Sequence, residues 1–267
     1  MPWAEVNGTS LRYAFDGDRG PCIVLLHEAG GCIESFDEVA GALGDSFRVL
    51  RYDQRGFGFS EPSAELSLDL AVADLTALLD HLALPERIHL AGCALGGDIG
   101  AVYARRHGDR VASLVITSPR SEPMDEARSA HLAALRHRIE KEGLRAIRDG
   151  YLAGLYPESL RAIDPTRFTQ YRARWVCNDA STYACLIPVI NQIEASAVYP
   201  FLDCETLVLA GTLDTSRPPE MARAVANMIP NGRLQVLETG HFMAVQSPGP
   251  FASAVRRFVD EITTRQG

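Results

Sequence analysis

Residues 87–97 (Arg-Ile-His-Leu-Ala-Gly-Cys-Ala-Leu-Gly-Gly) read as a buried strand running into a tight glycine turn and then a helix. Gly92 and Gly96 bracket position 94 at the spacing of a G-x-S-x-G turn, where a nucleophilic serine is held out on a strained bend. Position 94 is an alanine. A methyl group keeps the turn but has nothing to attack with, so any chemistry must come from its neighbours. Gly211-Thr212-Leu213-Asp214 follows one apolar strand and Gly240-His241-Phe242 follows another. A carboxylate behind a histidine fixes the tautomer of the ring and stabilises the imidazolium formed when it takes a proton. Taken singly, Asp214 could be a helix cap and His241 a loop residue. Together with the glycine turn, and in this order, they read as an acid and base serving one site.

The elements that must position these residues alternate in the first half of the chain. Residues 4–7 and 11–16 predict a hairpin around Gly8-Thr9, and the apolar run 22–27 predicts a strand covered on both faces. A helix over 36–43, a strand over 47–52, a helix over 66–84 capped by Ser67 or Asp69, and a strand over 88–91 follow. A helix over 95–107 and a strand over 111–117 complete the series. Strands separated by helical segments imply parallel crossovers and a doubly covered sheet. Residues 119–200 break the rhythm with helical stretches rich in Arg and Ala, punctuated by Pro157, Pro165 and Pro188. Strands return at 205–210 and 234–238, with helices over 219–228 and 251–263. The expected organisation is therefore an α/β core, residues 1–118 and 201–267, with a helical lid, residues 119–200, inserted over the sheet's carboxyl edge. Ligands of open α/β sheets bind at that edge.

Composition narrows the function classes. With 46% hydrophobic and 22% charged residues, the 267-residue chain is ordinary for a globular protein of one large core. A net charge of −8 gives no reason to expect nucleic acid or an anionic membrane as partner. The six cysteines form no C-x-x-C pair, and the N-terminus lacks a basic region followed by an apolar run, so reduced thiols and a cytoplasmic location are expected. Cys93, beside the turn apex, is read as buried and inert. No P-loop, dinucleotide fingerprint or metal-ligand cluster is present, so neither cofactor nor metal is expected, and the partner is a small-molecule substrate.

Five motifs in order and spacing carry a resemblance. They are Leu26-His27-Glu28-Ala29-Gly30-Gly31, the stretch 52–60 (Tyr-Asp-Gln-Arg-Gly-Phe-Gly-Phe-Ser), the 92–96 turn, Gly211 to Asp214, and Gly240-His241. Over essentially its whole length the chain resembles the α/β-hydrolase superfamily, most closely small capped enzymes such as 3-oxoadipate enol-lactonases, carbon–carbon-bond hydrolases and related esterases. The resemblance implies that the backbone N–H groups of Ala29 and Leu95 form the oxyanion hole. Two such donors are worth on the order of 10²–10³ in rate each. It also implies that Asp53 and Arg55 fix backbone geometry, with Phe57 or Phe59 able to reach the substrate.

Two positions depart from the family pattern: Ala94 replaces serine, and Glu28 replaces the glycine that usually follows the histidine. Three readings follow. The alanine is natural, and His241 activates water or takes a proton from substrate, with Glu28 as a second acid/base or nucleophilic carboxylate. Alternatively, Ala94 is a Ser→Ala change in an ordinary serine hydrolase. Thirdly, the chain binds a small molecule without chemistry. The first is preferred, because the unusual glutamate coincides with the missing serine. The bland reading of Glu28 is a rim residue paired with a lid arginine. In the lid, Arg172 and Arg174 lie close to Trp175 and Tyr171, which marks Arg172 and Trp175 as candidate contacts to a substrate carboxylate. The expected substrate is a small ester, lactone, amide or diketone-like compound.

Overall fold

Unbroken apolar runs settle the sheet. All five residues of Cys22–Leu26 and all seven of Val111–Thr117 are buried, as strands covered on both faces must be. The computed structural model describes residues 1–85, 87–190 and 192–266. Its strands are β1 (Trp3–Val6), β2 (Thr9–Asp16), β3 (Cys22–Leu26), β4 (Arg48–Tyr52), β5 (Ile88–Cys93), β6 (Val111–Thr117), β7 (Glu205–Gly211) and β8 (Gly232–Leu237). They form one eight-stranded sheet in the order β1-β2-β4-β3-β5-β6-β7-β8. The hairpin β1–β2 and its junction with β4 are antiparallel, and every other pairing is parallel. This is the mostly parallel, doubly covered sheet that the sequence predicts.

The helices are α1 (Asp37–Leu43), α2 (Leu68–His81), α3 (Leu95–Arg106), α4 (Glu126–Glu142), α5 (Leu144–Leu155), α6 (Glu158–Ile163), α7 (Pro165–Val176), α8 (Ala180–Leu186), α9 (Ala195–Val198), α10 (Pro219–Met228), α11 (Met243–Gln246) and α12 (Pro248–Gln266). One face of the sheet packs against α1 and α12 through residues such as Val39, Phe251 and Val255. The other face packs against α2, α3 and α10 through Leu75, Ile99 and Val225. Helices α4 to α9 all fall between β6 and β7. Ser67 caps α2, its hydroxyl accepting the Leu70 N–H at 3.0 Å, and Asp164 and Pro165 start α7 as a cap and a first-turn proline should. Among the described residues no helix is long and apolar enough to cross a membrane.

The start of α3 lies hard against the end of β3. A Cβ placed on Gly96 would sit 2.1 Å from the carbonyl oxygen of Leu26, and one on Gly92 would sit 2.3 Å from the Gly96 carbonyl carbon. Only glycine fits either place. One turn further along α3, Asp98 is buried, and neither carboxylate oxygen has a hydrogen-bond partner among the described residues. Burial pushes its carboxyl up to about 6, although Arg217 and Arg120 act in the opposite direction.

Two outcomes follow from these contacts. Gly96→Ala should lower the unfolding free energy by more than about 3 kcal/mol in urea titration, because the colliding atom is backbone and cannot swing aside. The second concerns pH. Asp98 holds its proton more tightly folded than unfolded, so the stability it contributes is full below about pH 4 and is lost as pH rises through about 6. Asp98→Asn should therefore gain stability relative to the parent between pH 4 and pH 7; a difference that does not change with pH would refute the assignment.

Candidate active site

Position 94 occupies the bend between β5 and α3 with φ 48° and ψ −110°. For a residue with a Cβ this is strained backbone, costing of order 1–3 kcal/mol. The chain keeps the bend around a methyl group. The Ala94 N–H donates to Thr117 Oγ1 at 3.3 Å, which ties the apex to the neighbouring strand. Leu95 opens α3, so its N–H lies outside the helical ladder. Beside it, Cys93 is fully buried and its thiol is pushed up to about 12, mainly by burial and then by the charge of Glu28.

Across the bend, the loop after β3 is clamped at the Glu28 carbonyl. His27 Nε2 accepts the Gln54 N–H at 2.9 Å, which leaves the ring proton on Nδ1 to donate to the Glu28 carbonyl at 2.8 Å. Gly31 donates its N–H to the same oxygen at 2.9 Å. Ala29 lies between these clamps. Among the described residues neither the Ala29 nor the Leu95 N–H finds a protein acceptor.

Glu28 does not lie at the rim. It is fully buried, its Oε1 accepts the Ser35 hydroxyl at 2.9 Å, and its carboxylate packs where a Cβ on Gly31 would be, 2.6 Å from Cδ. This corrects the expectation of a rim residue paired with a lid arginine. The other oxygen, Oε2, has no hydrogen-bond partner among the described residues. The phenol of Tyr171 is raised well above its ordinary value, first by burial and then by the Glu28 charge.

The loops after β7 and β8 are zipped together. Thr212 N–H donates to the Leu237 carbonyl at 2.9 Å and Leu213 N–H to the Thr239 carbonyl at 3.0 Å. This brings His241 Nδ1 to 2.8 Å from Asp214 Oδ2, with the ring 6% and the acid 3% exposed. Asp214 Oδ1 accepts the N–H groups of Ser216 at 3.0 Å and Arg217 at 2.9 Å. Burial alone would raise the Asp214 carboxyl; His241 and these backbone donors outweigh it and hold it below the ordinary range. The His241 loop is pinned to α5 by Gln246, whose Oε1 accepts the Phe242 N–H at 3.0 Å and whose Nε2 donates to the Leu155 carbonyl at 2.8 Å.

His241 lines a cavity of about 410 Å³ under the helical segment, together with Arg128, Leu132, Tyr151, Ile190 and Arg217. The residues at 94, 29 and 95 are not part of that wall; Ala94 and Ala29 keep 4% and 7% of their surface. Leu95 and Phe57 instead border a separate groove beside α2. Phe57 is buried edge-on to His27 and Tyr183, so it packs against the loop after β3 and is not part of the His241 cavity wall. Trp175 is fully buried, stacked on Tyr151 at 5.3 Å and lying over Gly30. Arg172 is corrected outright. Its guanidinium grips Asp149 at 2.7 Å at the protein surface, where the long side chain reaches water. Sequence reasoning missed Arg217. The signal available was its place three residues after Asp214, the spacing at which an aspartate side chain gathers the next backbone N–H groups.

Cys32, Glu34 and Asp53 offer ligand atoms within 4.8 Å of one another. The guanidinium of Arg12 fills that place, 2.5 Å from Asp53 and 2.7 Å from Glu34, and Asp53 also takes the N–H groups of Ile33 and Phe59. The trio is thus accounted for by an arginine that fastens the loop after β4.

Residues 21–141 match the family described as alpha/beta hydrolase fold. RutD of Stutzerimonas stutzeri strain A1501, provisionally named a carbamate hydrolase, is 30% identical over 86% of this chain and 88% of its own length. The 2-hydroxymuconate semialdehyde hydrolase of Pseudomonas sp. strain CF600 is 28% identical over 92% of this chain and 89% of its own. Among solved structures, the enol-lactonase of Burkholderia xenovorans LB400 superposes with a TM-score of 0.90 at 27% identity, over 97% of this chain and 100% of that one. On sequence, topology and likeness to these proteins, the chain belongs to the alpha/beta hydrolase family.

Proposed function

We propose that this protein is an enzyme acting on a small carbonyl compound, an ester, lactone, amide or diketone-like substrate, without a serine nucleophile. His241, oriented by Asp214, serves as general base. The N–H groups of Ala29 and Leu95 receive the developing oxyanion. In the hydrolytic form, His241 Nε2 takes a proton from water as the oxygen attacks the substrate carbonyl carbon, and the carbonyl electrons move onto the oxygen held by the two N–H groups. Collapse of this intermediate breaks the bond to the leaving group, which takes its proton from the imidazolium. The observation that carries the reading is the buried 2.8 Å contact between His241 and Asp214, with His241 on the wall of a cavity.

The glutamate supports a natural alanine. Glu28 has a bonded partner in Ser35 and a space left for it by Gly31, so both departures from the family pattern are accommodated in one fold. The relatives named for carbamate, semialdehyde and lactone chemistry support a small carbonyl substrate. One observation favours a second reading, an ordinary serine hydrolase changed to alanine at 94: the strained φ of 48° is a geometry that a nucleophile needs and a methyl group does not.

A panel of activated esters, lactones and amides separates the readings. With a natural serine-less site, the parent protein turns over at least one class, His241→Ala lowers kcat/KM by about 10²–10⁴, and Ala94→Ser changes it little. A gain of about 10³ or more on introducing the hydroxyl assigns the second reading instead. Inactivity of both forms leaves a small-molecule binding protein.

A further inference from the structure

Four residues with side chains hold left-handed backbone among the described residues: Asn7, Ala83, Ala94 and Ser118. Asn7 and Ala83 lie in exposed turns. Ala94 and Ser118 are buried, and they stand on neighbouring strands, each the first residue past the end of β5 or β6. The Ala94 N–H donates to Oγ1 of Thr117, the residue before Ser118. Such backbone strains any residue with a Cβ, whereas glycine takes it freely. The bend at 94 has its account in the glycine turn. A serine kept at φ 48° on the next strand points to a role for its side chain.

The main chain of Ser118 is fastened on both sides. Its N–H donates to the Leu209 carbonyl of β7 at 3.0 Å, and its carbonyl accepts Arg217 Nη1 at 2.8 Å. Arg217 in turn gives its own N–H to Asp214 Oδ1. The Ser118 hydroxyl is buried and makes no hydrogen bond of ordinary length and angle among the described residues, so a local turn of its own backbone does not explain it. The group it acts on is Asp214. Burial raises that carboxyl, and His241, the Arg217 N–H and then the Ser118 hydroxyl lower it. An ionised carboxylate has about four acceptor sites. His241 Nδ1 and the N–H groups of Ser216 and Arg217 fill three of them. A hydroxyl proton turns freely about the C–O bond, so a donor this close can follow the site that is left.

From this geometry we infer that Ser118 is a positioning residue for the Asp214–His241 pair: the left-handed backbone after β6 aims its hydroxyl at Asp214 as a fourth donor, and so sets how tightly the carboxylate holds the charged ring. The inference rests on the proposed function for what the pair does; the contact itself requires no turnover. A carboxylate that shares a lone pair with a hydroxyl has less charge to offer the imidazolium. Removing the hydroxyl therefore strengthens the hold on the protonated ring.

The test is titration of the His241 ring by NMR in protein labelled at the imidazole carbons, the signal being assigned by its loss in His241→Gln. Ser118→Ala deletes the hydroxyl and keeps the backbone strain; Ser118→Gly removes both. In each, the titration midpoint of His241 should rise by about half a pH unit or more, the size expected for one lost hydrogen bond. In urea, Ser118→Gly should unfold at or above the midpoint of Ser118→Ala, because glycine relieves the strain. A His241 midpoint unchanged or lowered in Ser118→Ala overturns the inference. So does a rise seen only in Ser118→Gly, which assigns the effect to the backbone. Where Ser118→Ala fails to fold, Ser118→Cys repeats the comparison with similar bulk and only a weak donor. The ester and lactone panel stays separate from this result. A raised midpoint in a protein without turnover keeps the Ser118 contact and ends the catalytic reading.

Discussion

The space left vacant at position 96 is the constraint on which this site rests. A hydrogen atom there, in place of a side chain, lets the first turn of α3 settle onto the carbonyls that end β3. The bend at 94 and the clamped loop at 27–31 thereby become neighbours, although they are far apart in sequence. Among the described residues the backbone N–H groups of Ala29 and Leu95, on either side of that contact, have no protein acceptor. The strain at Ala94 is tolerated because the sheet and helix on either side are fully buried and hold the bend from both ends.

The second half of the site is organised by an aspartate that uses each of its oxygens differently. One oxygen of Asp214 holds the imidazole, and the other gathers the backbone of Ser216 and Arg217. These contacts hold the carboxyl below its ordinary range despite its burial. That side-chain turn delivers an arginine to the same cavity as the histidine. Asp214 and Arg217 therefore come from the loop after β7 and His241 from the loop after β8, and the Thr212 and Leu213 N–H groups zip the two loops together.

Much of this was legible in the sequence, and the reasons are specific. The glycines at 92 and 96 are demanded by backbone collisions, so their spacing announces the bend whatever residue stands between them. The runs at 22–27 and 111–117 announce strands because a strand covered on both faces is apolar along most of its length. Boundaries moved where side-chain patterns do not decide: β8 begins at Gly232, and the short α11 follows His241. Arg172 was misplaced because nearness in sequence to Trp175 does not carry direction. The indole is buried against Tyr151 and Gly30, whereas the guanidinium on the same helix turns outward to Asp149. The burial of Glu28 was illegible because its partner, Ser35, stands seven residues away and its space is a missing side chain at Gly31.

The hydrogen bonds of Arg217 reach the carbonyl of Ser118, where the chain leaves β6 for the helical insertion, and that of Ile190, close to where it returns. One guanidinium thus latches both ends of the insertion to the loop that carries Asp214. The same residue's backbone N–H is bound to Asp214 Oδ1, so the ends of the insertion are tied to the turn that holds the imidazole. The ends of the insertion and the Asp214–His241 pair are thus held by one residue.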